Sequence, residues 1–157
     1  PQKTEATPVV QTLLVTTQVG QVLAQQGIRK CLNRADQLSQ FLGFGPNDGA
    51  MFLPAPGEPD QRSIAISFEM RRPDLLSYVS LNLAPSATSN NCSAIYDAVS
   101  YFPAVCSAVA RQIFGAYQLE SSLRQDIAVL NAGPASKVFL MPAGTGCVSV
   151  KKEVLQQ

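Results

Sequence analysis

The residues in this chain that could do chemistry are few, and their spacing does not bring them together. There is no histidine. That removes Ser-His-Asp and Cys-His catalysis, histidine general base work and His-ligated zinc. A carboxylate pair of the glycosidase kind is the simplest chemistry left. Glu69 and Asp74 are the nearest pair, but Glu69 alternates onto the polar side of an extended run and Asp74 follows a proline in a connector. Asp97 sits in an apolar stretch beside Tyr96 and reads as a surface carboxylate or a tyrosine partner. Ser136 and Lys137 are adjacent, yet neighbours on a strand point to opposite faces, so they cannot form a Ser-Lys couple. The glycines of 43–49 do not spell a phosphate-binding motif and read as a helix stop followed by a turn. A carboxylate-based hydrolase is therefore the least favoured function, and no cofactor or metal is expected.

Four cysteines, Cys31, Cys92, Cys106 and Cys147, carry the other chemistry. No pair has CxxC spacing, which disfavours a zinc ribbon or a thioredoxin-type site. An even number with wide spacing predicts two disulfides and an oxidising compartment, periplasmic or extracellular. Three pairings are possible. A single helix from Cys92 to Cys106 would hold its ends about 21 Å apart, beyond disulfide reach. In that case Cys31 bonds Cys92 or Cys106, and Cys147 takes the other. The chain begins at Pro1 with a polar stretch, as a mature chain after signal-peptide removal would. Asn91-Cys92-Ser93 formally matches a glycosylation acceptor, but its middle residue is an expected half-cystine.

Basic residues form two groups: Arg62, Arg71 and Arg72 flank one extended run, and Arg29, Lys30 and Arg34 crowd one helical segment. Net charge is +1, so counterion release offers little affinity for nucleic acid. The 157 residues are 46% hydrophobic and 15% charged, with a mean hydropathy of +0.08. That argues against disorder, and the length suits one domain with its own core. No apolar run approaches the roughly 18 residues of a membrane span.

The elements that must position these residues follow from periodicity. Thr7-Pro8 resembles a helix start, with Val10, Leu13, Leu14 and Thr17 at helical spacing. Ile28, Cys31, Leu32, Ala35, Leu38, Phe41 and Leu42 form an apolar helical stripe, with Asp36 among the polar residues opposite and Gly43 as a C-terminal cap. Residues 50–54 read as a short strand, and Pro54 to Asp60 as a proline-rich loop. Residues 63–70 and 76–83 alternate and form an antiparallel hairpin with a loop longer than two residues. A polar loop over 85–91 leads to a helix over about 93–102, and Pro103 opens a further helix. Strands follow at 126–130, 136–141 and 147–154, with loops at 131–134 and 142–146. The order is two helices, three strands, a helix pair and three strands. Phe52-Leu53-Pro54-Ala55 echoes Phe139-Leu140-Met141-Pro142-Ala143, but its place among the strands differs, so it reads as coincidence.

The expected fold is α+β: one domain over residues 1–157, with a polar lead at 1–7 and a frayed tail at 155–157. Helices are expected on one face of a largely antiparallel sheet, held by two disulfides. The expected function is non-enzymatic docking of another protein, of the inhibitor, immunity or accessory-subunit type. Loops 54–60, 85–91 and 142–146 would present the contacts, with Pro54, Pro56, Glu58, Arg62, Arg71 and Arg72 as candidate partner-binding residues. The alternative is a carrier for an apolar small molecule, since three methionines and seven phenylalanines permit a cavity.

Overall fold

Alternating residues build most of this protein. The computed structural model describes residues 15–54 and 57–155. The expected helix start at Thr7-Pro8 and the candidate contact Pro56 lie outside the described residues. Two helices, α1 (Gln18–Gln25) and α2 (Leu32–Phe41), precede four strands: β1 (Gly49–Pro54), β2 (Ile64–Arg72), β3 (Leu75–Pro85) and β4 (Cys92–Phe102). A third helix, α3 (Cys106–Gln112), precedes four more: β5 (Gln118–Ser122), β6 (Ala128–Asn131), β7 (Ser136–Ala143) and β8 (Gly146–Leu155). All eight strands form one antiparallel sheet in the order β1-β2-β3-β4-β8-β7-β6-β5. A largely sheet-built α+β fold with two disulfides is what the sequence predicts.

The halves repeat one plan. A half-cystine at the start of a helix bonds a half-cystine at the start of the fourth strand that follows: Cys31 to Cys92, and Cys106 to Cys147. The registers match as well, since Pro85 faces Cys92 and Pro142 faces Cys147. From there Leu83 and Leu81 correspond to Leu140 and Val138, all four buried. The halves join edge to edge through β4 and β8, with Asp97 opposite Lys152. The repeat is one of topology and differs from the Phe52/Phe139 echo, because β1 corresponds to β5 and not to β7.

One face of the sheet carries the side chains of the two buried clusters. Its rows follow the register: Ile66, Leu81 and Tyr96, continuing to Glu153 and Ser136; and Phe68, Val79 and Ala98, continuing to Lys151 and Val138. Val19, Leu23, Leu32, Ala35 and Leu38 of the first two helices share a buried cluster with Ile64, Ile66, Phe68, Leu81 and Leu83. Val109 of α3 shares a second with Leu130, Val138, Leu140 and Cys147. Between the clusters the same face turns polar: Tyr96 Oη donates to Glu153 Oε2 at 2.7 Å, and Lys151 Nζ lies 3.7 Å from that oxygen.

Several expectations need correcting. Residues 92–102 are strand β4, not a helix. Its alanines favour helix, but Ile95, Tyr96, Val99, Tyr101 and Phe102 favour strand, and pairing on both sides, to β3 and β8, decides it. The helix expected from Pro103 is confined to Cys106–Gln112. The following residues turn into β5, which has no buried residue to reveal it by alternation. The hairpin loop between β2 and β3 is the two residues Pro73-Asp74, because Arg72 pairs with Leu75. Likewise β7 and β8 pair as far as Ala143 and Gly146, leaving Gly144-Thr145 as the turn, with Gly144 at φ +58°. Leu155 does not fray: it pairs with Ala94, and its carbonyl accepts from Arg34 Nη2 at 3.4 Å.

Asp36 is the clearest correction. It is buried rather than on a solvated helix face. Its carboxylate accepts from the backbone N–H and hydroxyl of both Thr16 and Thr17, at 2.6 to 3.2 Å, and from Gln40 Nε2 at 3.2 Å. Thr17 in turn caps α1 by accepting from the Gly20 N–H. Burial works to raise the Asp36 pKa, but the four threonine donors outweigh it and hold the group below its ordinary value. Gly20 is tolerated within α1 because an added Cβ would lie 2.6 Å from Asp36 Oδ1.

Candidate functional site

The loops expected to carry contacts are distributed as follows. Pro54 is the last residue of β1, and Glu58 and Arg62 are exposed in the connection to β2. Arg71 and Arg72 close β2, where they hold Asp48. The Arg71 N–H donates to Asp48 Oδ1 at 3.0 Å, and Arg72 Nη1 lies 3.2 Å from both carboxylate oxygens. Arg72 Nη2 also donates to the Gly43 carbonyl at 2.6 Å. Burial tends to raise the Asp48 pKa, but the Arg71 and Gly45 N–H groups and the Arg72 guanidinium bring it below the usual value. Arg72 thus fastens the β1 approach to β2. Arg29, Lys30 and Arg34 do not share one helix face: the N–H groups of Arg29 and Lys30 precede α2 and donate to Asp60 Oδ1 at 2.7 and 3.0 Å.

The carboxylates do not converge. Glu69 is exposed, 3.5 Å from Arg71 Nη2. Asp74 is exposed in the β2–β3 turn. Asp97 and Tyr96 project to opposite faces of β4. Ser136 and Lys137 do the same on β7, where Lys137 Nζ bonds Glu120 Oε2 at 2.6 Å. Among the described residues there is no group of three or more Cys, Asp or Glu side chains that could hold a metal ion.

The feature that stands out is the sheet face opposite the buried clusters. Four rows cross it. Leu53, Ala65, Asn82, Ile95 and Val154 form the first. Met51, Ser67, Ser80, Asp97, Lys152 and Lys137 form the second. Glu69, Tyr78, Val99, Val150 and Phe139 form the third, and Tyr101, Val148 and Met141, with Leu76 beside them, the fourth. A polar row therefore runs between apolar ones. Tyr78, Leu76 and Tyr101 are each about half exposed, and Ile95, Met141 and Val154 about 40%. Each charge on this face has a neighbour of opposite sign: Lys152 Nζ is 2.6 Å from Asp97 Oδ1, Lys137 meets Glu120, and Arg71 meets Glu69. Tyr101 lies over Gly146, where any Cβ would overlap its ring.

This face is not among the sequence expectations, because prolines and arginines in loops mark contacts locally whereas a sheet face exists only once distant strands pair. Its signal is present: in β8 Val148, Val150 and Val154 alternate with Ser149, Lys151 and Glu153, and in β4 both members of the alternation are apolar, as in Ile95-Tyr96 and Tyr101-Phe102. A strand with only one buried face does not need that.

A groove of about 700 Å³ lies at one margin, lined by Leu123, Arg124, Asp126, Ile127, Met141 and Pro142 among others. Comparison with protein-family models, curated proteins and solved structures finds no match to this chain.

Proposed function

We propose that this chain is an extracytoplasmic, non-enzymatic binding protein that docks another protein on the open face of its eight-stranded sheet. In this reading the three helices back the other face and the disulfides tie them to it. The inhibitor, immunity or accessory-subunit type remains the expected class. The observation that carries it is the pair of adjacent rows bearing half-exposed Leu76, Tyr78 and Tyr101 with Met141, flanked across a polar row by Ile95 and Val154. Soluble proteins rarely expose contiguous apolar patches beyond roughly 300–600 Å² unless something covers them. Exposed tyrosines in such a patch are the residues that anchor interfaces. Two disulfides, with no described helix long and apolar enough to cross a membrane, are compatible with an oxidising compartment.

The test is purification of the protein from its own host beside a Tyr78→Lys variant. A stoichiometric protein companion retained by the wild type and lost by the variant supports the reading. A companion unaffected by Tyr78→Lys, Ile95→Lys and Tyr101→Lys alike rejects the face. The groove at Leu123–Ile127 favours a second reading, a site for an apolar small molecule, which predicts a bound species of a few hundred daltons instead.

A further inference from the structure

We propose that the occupant of the open face is a second copy of this chain, packed sheet on sheet about a two-fold axis parallel to β4 and β8. The inference rests on the reading of that face as a protein-docking surface and names its partner. Three observations support it.

The first is area. Eight strands spaced about 4.8 Å apart, with central strands of about ten residues at 3.3 Å each, give a face of roughly 900 Å² once the shorter edge strands are allowed for. A standard interface needs about 800 Å² from each partner. The face is therefore large enough to hold a dimer by itself, and two such sheets pack face to face as the layers of a sandwich do.

The second is the order of the rows. Turning a copy about an axis parallel to the strands preserves position along them. The polar row of one sheet then meets the polar row of the other, and apolar rows meet apolar rows. Ile95 of one copy faces Val154 of the other, Val99 faces Val150, Tyr78 faces Phe139, Tyr101 faces Val148, and Leu76 faces Met141. A copy turned about the perpendicular in-plane axis through the middle of the sheet, which keeps the sheets fully overlapped, would set the polar row against the apolar third row.

The third is charge. Asp97 on β4 and Lys152 on β8 stand side by side where the halves join. The proposed axis places β4 of each copy over β8 of the other, so each Asp97 meets Lys152 of the other copy. The two pairs close into an alternating square of charges. Because every charge on the face is already balanced by a neighbour, and the chain carries only +1 overall, self-association brings no like-charge repulsion.

The experiment uses the full chain and sedimentation velocity across about 1–100 µM, the range in which a moderate dimer separates from monomer. Circular dichroism confirms that each variant is folded. Wild type is expected to dimerise. Asp97→Lys gives four cations at the centre and Lys152→Asp gives four anions. Each is expected to weaken the dimer by at least about a hundred-fold, since like-charge juxtaposition in an interface is strongly unfavourable. Mixing the two variants is expected to restore association as a heterodimer, a result that misfolding cannot imitate.

A wild type that stays monomeric throughout overturns the inference. A dimer unaffected by either charge variant or by Ile95→Lys also overturns it, because the contact then lies elsewhere. If wild type is monomeric but its host companion is lost on Tyr78→Lys, the docking face stands and only the second copy is rejected. If neither association is found, both fail.

Discussion

Removal of the disulfides, one pair at a time, has a magnitude that follows from the topology. Cys31–Cys92 closes a loop of 61 residues and Cys106–Cys147 one of 41. The loop-closure relation gives about 4 kcal/mol of unfolded-state entropy for each. The loops do not overlap in sequence, so each constrains a part of the unfolded chain that the other leaves free. Their effects should add to about 8 kcal/mol, against a typical total stability of 5–15 kcal/mol. The variants are Cys→Ala pairs, because Cys31, Cys92 and Cys147 are buried and a serine hydroxyl there would lack a partner. With a urea m-value of roughly 2 kcal/mol/M, each pair should lower the unfolding midpoint by about 2 M, and the four-alanine chain should be largely unfolded at 25 °C. The two shifts should be equal within error, as the repeated plan requires. A loss under about 1 kcal/mol for either pair, or a coupling above about 1 kcal/mol between them, would refute the reasoning.

Other perturbations have defined outcomes. Asp36 and Asp48 have depressed pKa values when folded. Their contribution is complete above the ordinary aspartate pKa of about 3.9 and is lost as pH falls through the folded values. Urea midpoints measured from pH 6 downward should therefore fall in the acid range, and Asp36→Asn should reduce that dependence while costing about 2–4 kcal/mol at pH 7 through the threonine N–H groups left poorly paired. Gly20→Ala should cost about 1–3 kcal/mol by pushing against Asp36 and Val15, read as a drop in thermal midpoint. Gly146→Ala should displace the Tyr101 ring and weaken docking on the open face while changing stability by no more than about 1 kcal/mol, so a binding assay and a urea titration should separate. Tyr96→Phe should cost about 1–2 kcal/mol by leaving Glu153 without its donor; an unchanged urea midpoint would show the bond to be incidental.

The legibility of this fold depended on whether one face of an element was buried and the other wet. In β2 the alternation of Ile64, Ile66, Phe68 and Met70 is clean because Glu69 and Arg71 face solvent, and the strand was visible. In β4 both faces carry apolar side chains, the alternation disappears, and alanines suggest helix. The structure is decided by pairing with β3 and with the distant β8, where Ala94 meets Leu155 and Phe102 meets Cys147, which no local pattern contains. β5 is invisible for the opposite reason, having no buried residue at all. Asp36 reads as a polar-face residue because helical spacing cannot show that residues 16 and 17 return to cover it. The disulfides were legible as a count, but helix or strand over 92–102 excludes only Cys92–Cys106, and the choice of Cys31–Cys92 with Cys106–Cys147 depends on tertiary packing that no local pattern contains. The open face was hidden by the same fact that misread β4: an apolar residue on the second face of a strand looks like core until the sheet is assembled.

The most direct measurement of the account is native mass spectrometry of the protein taken gently from its own host, beside a Tyr78→Lys/Ile95→Lys variant prepared the same way. The account predicts that the wild type carries two disulfides and one protein companion, and that the variant prepared the same way carries the disulfides without the companion. A bare wild-type chain, or a companion that the variant retains, would contradict it.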